Sequence, residues 1–125
     1  MEIDMATKQE RINAVLDELK MATSDIQGSG VISPDGMMIA NKLDGDQGDA
    51  AAAMGAALAS LSKRVSDTLK VGDFQEVNIR GANAGILLFD IEHRASLIVK
   101  VSKGANLGLV FLEARQAQNQ LGQII

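Results

Sequence analysis

Apolar positions along the chain follow two rhythms. Over residues 8–23 they recur three and four apart, at Ile12, Val15, Leu16 and Leu19, and Thr7 followed by Glu10 supplies a capping box ahead of them. That pattern predicts a helix. Residues 28–33 and 37–41 are short apolar runs on either side of Pro34-Asp35-Gly36, where proline presets φ and glycine accepts a left-handed conformation, so they are expected to form a hairpin. An acidic, glycine-containing loop from Leu43 to Asp49 leads into an alanine-rich second helix, with Asp49 as its expected N-cap and Gly72 beyond its end. Three more strands are expected at 74–80, 86–92 and 95–101, separated by Gly81-Ala82-Asn83-Ala84-Gly85 and by a tight turn at His93-Arg94. From Asn106 onward, Val110, Ala114, Ala117, Leu121 and Ile124 share one face of a last helix.

The expected strand at 86–92 is apolar on both faces apart from Asp90, so helices must cover both sides of its sheet. With the order α-β-β-α-β-β-β-α, the economical solution is an α/β sandwich: a five-stranded antiparallel sheet with helices on both faces, built as a single domain over residues 1–125.

The second helix carries two stripes. Met54, Leu58, Leu61, Val65 and Leu69 form a bulky one, and Ala51, Gly55, Ala59, Ser62 and Ser66 form a shoulder of small residues beside it. Glycine inside a helix costs about 1 kcal/mol relative to alanine, so Gly55 needs a packing reason. Either a second helix approaches closely there, or the small residues sit over the chain's own sheet. Residues 74–80 mix Gln75, Glu76, Asn78 and Arg80 with Val77 and Ile79, as an edge strand does, and an edge must be protected or paired.

Composition narrows the function classes. The chain has 125 residues, 46% of them hydrophobic, and its only aromatics are Phe74, Phe89 and Phe111. So few rings count against base stacking, and a formal net charge of −4 offers no general attraction to phosphate backbones, so nucleic acid is not an expected partner. Without cysteine there is neither a disulfide framework nor a thiolate metal site. The opening MEIDMATKQER places acids where a leader needs a basic region and then an apolar run, and no stretch approaches the roughly 20 apolar residues of a spanning helix; no membrane insertion and a cytoplasmic location are expected.

Candidate chemistry is thin. His93 is the only histidine, at a predicted turn, with no serine or carboxylate partner at a recognisable spacing. Gly28-Ser29-Gly30 lacks the remainder of a dinucleotide fingerprint, and no phosphate loop occurs, so the chain is not itself a GTPase. Asp44, Asp46 and Asp49 cluster, but glycine at 45, 48 and 55 breaks a calcium-loop pattern and leaves them as a solvated capping loop. Asp90 is expected to be solvated or hydrogen-bonded, and the glutamines of the last helix to form a wet face. No catalytic, cofactor-binding or metal-binding residue is expected, and the chain is read as a non-enzyme.

GSGVISPDGMMIA in the first hairpin, the alanine-rich helix, GDFQEVNIRG entering the third strand and GANLGLVFLEAR at the last helix occur in an order that resembles the Roadblock/dynein light chain family, from about Ile12 onward. Within it the chain is most similar to the stand-alone prokaryotic type that regulates a gliding-motility GTPase. The resemblance implies a homodimer or heterodimer that pairs third strands across a two-fold axis and sets second helices side by side, and a homodimer is the expectation here. It places Ala51, Gly55, Ala59, Ser62, Phe74, Glu76, Val77, Asn78 and Ile79 in the dimer interface. It further implies a platform for Ras-like GTPases or motor complexes; a small Ras-like GTPase is the expected partner, with Ala52, Ala56, Lys63, Arg64 and Asp67 in contact with it. The implied function is a dimeric regulator or scaffold, activating or tethering. The rivals are a small-molecule sensor, which requires an apolar pocket with convergent polar groups, and an acid/base enzyme, which requires a perturbed Asp90 in a cleft.

Overall fold

The computed structural model describes residues 6–125; residues 1–5, part of the acidic opening, lie outside them. Helix α1 (Lys8–Ala22) starts at the expected capping box, in which the Thr7 hydroxyl accepts from the Glu10 amide and the Glu10 carboxylate reaches back to the Thr7 backbone. Its Ile12, Val15, Leu16 and Leu19 are buried. The hairpin of β1 (Ile26–Ile32) and β2 (Met38–Asn41) turns through Pro34-Asp35-Gly36, with Gly36 at φ 87.

Helix α2 (Gly48–Leu69) begins two residues earlier than expected: its N-cap is Gln47, not Asp49, and no side chain caps it. Gly48 opens the helix against the end of β2, where a Cβ would lie 2.5 Å from the side-chain Nδ2 of Asn41. Asp49 stays in the first turn, where a carboxylate favours the helix dipole. The helix ends on Lys70 in the left-handed region, φ 57, with the Val71 amide donating to the Ser66 carbonyl at 3.1 Å.

Strand β3 (Glu76–Arg80) is shorter than expected, leaving Phe74 and Gln75 in the connection before it. It is followed by β4 (Ala84–Ile91) and β5 (Ala95–Ser102). The turn between β4 and β5 centres on Glu92 and His93, φ 52 and 58, rather than on His93-Arg94. Two successive positive φ values are the hand a tight hairpin demands. Helix α3 (Leu107–Ile124) is capped by Asn106, whose side chain accepts from the Leu109 amide at 3.2 Å.

All pairings are antiparallel, in the order β2-β1-β5-β4-β3, which puts β3 at an edge. Alternation along β4 and β5 then divides the core. Leu87, Phe89, Ile91, Leu97, Val99 and Val101 face α1 and α3, where Val110, Ala114, Ala117 and Leu121 meet them, while Leu88 and Ile98 join Ile32 and Ala52 beneath α2. The two faces are unequal: two helices lie over one and a single helix over the other. Five strands at about 4.8 Å spacing span roughly 19 Å between the outermost two, and a helix is only about 10 Å across. One helix therefore leaves part of its face open.

Candidate interaction surface

The seat of α2 determines what that face presents. Ala52, Gly55 and Ser66 are its buried residues, and a Cβ on Gly55 would lie 2.6 Å from Cδ1 of Ile32 and 3.9 Å from Cδ1 of Leu88. The small shoulder thus rests on the chain's own sheet. This corrects two expectations. Gly55 is not available as a helix–helix dimer contact, because Ile32 fills the space beside it, and Ala52, expected to touch a GTPase, is 0% exposed beneath the helix. Ala51, Ala59 and Ser62 are half-buried on either side of that seat.

The bulky stripe consequently turns outward. Met54 is 66% exposed, Leu61 56%, Val65 48% and Leu69 68%, with Leu58 half-buried at the border of the inner cluster. On the edge strand the register pairs Val77 with Leu88 and Ile79 with Ile86, so Val77 and Ile79 point to the same side of the sheet as α2. Ile79 is 48% exposed. An apolar flank of α2 and the apolar side of β3 therefore lie on the one face that a single helix cannot cover.

The polar residues of β3 point the other way. Glu76 pairs with Arg115 of α3 at 3.1 Å, and the Arg115 guanidinium lies 5.6 Å from the Phe111 ring centre, which in turn meets Phe89 edge-on at 6.0 Å. Glu76 is thus held within the chain, and Asn78 and Arg80 are exposed. The outer hydrogen-bonding edge of β3 has no strand beside it among the described residues.

Lys63, Arg64 and Asp67 are exposed on α2 and make no ion pair among the described residues. Lys63, Asp67 and the half-buried Ala56 line a cavity on the side of α2 away from the bulky stripe. Phe74 lines the same cavity instead of extending β3.

His93 is less solitary than its sequence neighbours suggest. Its backbone N–H donates to Asp90 at 3.1 Å, its Nδ1 lies 3.3 Å from the same carboxylate, and its Nε2 lies 3.6 Å from Asp73. Those carboxylates are 17 positions apart and meet only because the β3–β4 hairpin returns the chain. Both ring nitrogens face carboxylates, so neither reaches a hydroxyl as the base of a nucleophilic pair must. Gln118 of α3 donates to the Asp90 carbonyl and fixes this end of β4 from the other face, a role its place among the helix glutamines did not disclose. Among the described residues no group of three or more metal-ligating side chains converges, and no helix is long and apolar enough to cross a membrane.

Solved structures share the fold. MglB from Myxococcus xanthus superposes with a TM-score of 0.86 at 20% identity, covering 99% of this chain and 92% of that one. The gliding protein MglB from Thermus thermophilus gives 0.86 at 23% identity, covering 99% and 97%. In sequence, the uncharacterized protein MJ0310 of Methanocaldococcus jannaschii is 29% identical over 111 residues, 88% of this chain and 96% of that protein. The Roadblock/LC7 domain matches residues 12–100, and the chain belongs to that family.

Proposed function

We propose that the chain works as a homodimer that regulates a small Ras-like GTPase. The observation that carries this reading is the unpaired β3 edge flanked by the outward stripe of Met54, Leu61 and Val65. Antiparallel pairing of β3 with the β3 of a second copy satisfies the open edge through backbone groups, so Glu76 keeps its pairing with Arg115. The same two-fold axis brings a second α2 over Val77, Ile79 and Ile86, where one copy has no helix to spare. The interface residues of this reading are thus Met54, Leu58, Leu61 and Val65 with Val77, Asn78 and Ile79. Membership in the Roadblock/LC7 family and the likeness to MglB structures, one of them described as having a tetrameric arrangement, support an assembly of this type.

Two adjacent helices form a rigid platform, and one GTPase lying across the axis contacts the two copies unequally. The chain needs no catalytic residue for such a role, since holding the switch segments of the GTPase in their productive arrangement is enough to change its rate. Lys63 and Arg64 are the cations placed to orient it. The test is single-turnover GTP hydrolysis by the small Ras-like GTPase of the same organism, with and without this chain. Binding with acceleration identifies an activator and binding without it a tether; no binding in either nucleotide state overturns the proposal.

A further inference from the structure

Beneath the C-terminal half of α2 lies a half-open cavity of about 240 Å³. Pro34, Ala56, Ala59, Phe74 and Ala95 give it apolar walls. Ser66 from the helix and Ser96 from β5 also line it; these residues are only 7% and 6% exposed, and neither hydroxyl has a side-chain hydrogen-bond partner among the described residues. Among the described residues the buried side-chain oxygen left without a partner is that of Ser29, so the Ser66 and Ser96 hydroxyls open onto the cavity itself, where they can accept hydrogen bonds from an occupant. The rim defines its charge: Asp67, Asp73 and Asp90 stand against a single lysine, Lys63, and His93 adds positive charge only when protonated. An ammonium or guanidinium donates hydrogen bonds and brings no acceptor, which matches serine oxygens and carboxylates together.

We propose that this cavity binds a small organic cation, a primary amine or guanidine on a short apolar body. The volume sets the size, since pockets for drug-sized ligands begin at about 300 Å³. The site lies on the side of α2 opposite the bulky stripe, so it does not depend on the dimer, and it shares Lys63 with the surface proposed to orient the GTPase.

The test uses the full chain, isotope-labelled, titrated near neutral pH with benzylamine and, in parallel, with benzyl alcohol and benzoate. Benzylamine is expected to shift the amide resonances of Ser66, Ala95 and Ser96 saturably, at roughly millimolar concentration. Benzyl alcohol should act much more weakly and benzoate not at all. Ala59→Leu fills the cavity and should abolish the shifts. Should that variant fold poorly, Asp67→Asn with Asp73→Asn, both exposed, should weaken binding by roughly two- to fivefold while leaving the fold intact. Equal responses to the amine and the alcohol, shifts spread over the surface without saturation, or an affinity unchanged by loss of the two carboxylates would overturn the proposal.

Discussion

Gly55 and Ile32 occupy the same space: a methyl group on the glycine would lie 2.6 Å from Cδ1 of an isoleucine that is itself 0% exposed. The contact fixes how closely α2 approaches the sheet and, through that, which stripe of the helix is left outside. Glycine lowers helix propensity here by about 1 kcal/mol relative to alanine, offset by the burial of Ile32 and Leu88 beneath it.

Gly55→Ala should therefore be strongly coupled to Ile32→Val, which removes the offending methyl. In the wild-type background the gain in helix propensity is opposed by the clash; in the Ile32→Val background the clash is gone and the substitution should stabilise by about 1 kcal/mol. A double-mutant cycle by urea unfolding should give a coupling energy of about 1 kcal/mol or more. Additivity within about 0.5 kcal/mol would show that Gly55 does not rest on Ile32 in solution.

The bulky stripe makes a different demand. Replacing Leu61 and Val65 together by glutamate places charges on side chains already 56% and 48% exposed, so the isolated chain has little to lose. The proposed dimer does, because unpaired carboxylates would be buried between two helices. Sedimentation should show the wild type as a dimer at about 10 µM and the double variant as a monomer, with far-UV circular dichroism unchanged. A monomeric wild type at that concentration would remove the basis for the two-fold platform.

Lys70 offers a test of local structure alone. It ends α2 with φ 57, a conformation that costs a residue bearing a Cβ about 1 kcal/mol and glycine almost nothing. Lys70→Gly should raise the unfolding free energy by about 0.5–1 kcal/mol, read as a higher urea midpoint at unchanged slope. A fall in the midpoint would mean that the lysine side chain holds the helix end in a way its exposed position does not suggest.

Legibility in the sequence divides along physical lines. The capping box at Thr7 and Glu10, the two-faced apolar run of β4, the edge character of β3 and the start of the last helix near Asn106 were readable because each depends on residues close together in the chain. The orientation of α2 was not. A bulky apolar stripe ordinarily marks the buried side, and here the small residues are buried because Ile32 and Leu88 rise high enough from the sheet to exclude anything larger. A clue was present: Ala52, Gly55, Ala59 and Ser66 themselves recur three, four and seven apart. The meeting of His93 with Asp73 and Asp90, and of Ser66 with Ser96 at one cavity, left no such trace, since each joins residues that only the completed sheet brings together.

Lys63 and Arg64 provide the test of where a GTPase docks. The chain carries a formal net charge of −4, so two adjacent, unpaired cations on the exposed part of α2 run against the overall field and favour a partner face that is acidic. Their side chains are long and solvated, so their contribution is expected in the association rate and its salt dependence more than in the lifetime of the complex. Reversing both to glutamate should slow association with the partner GTPase by roughly tenfold at low salt and flatten the dependence of the rate on ionic strength. The dimer should survive, because neither residue belongs to the stripe of Met54, Leu61 and Val65. Stopped-flow association with the GTPase loaded with either nucleotide reads the rate, and sedimentation reads the dimer. If the reversed protein binds as fast as the original in both nucleotide states, the proposed docking surface on α2 is wrong.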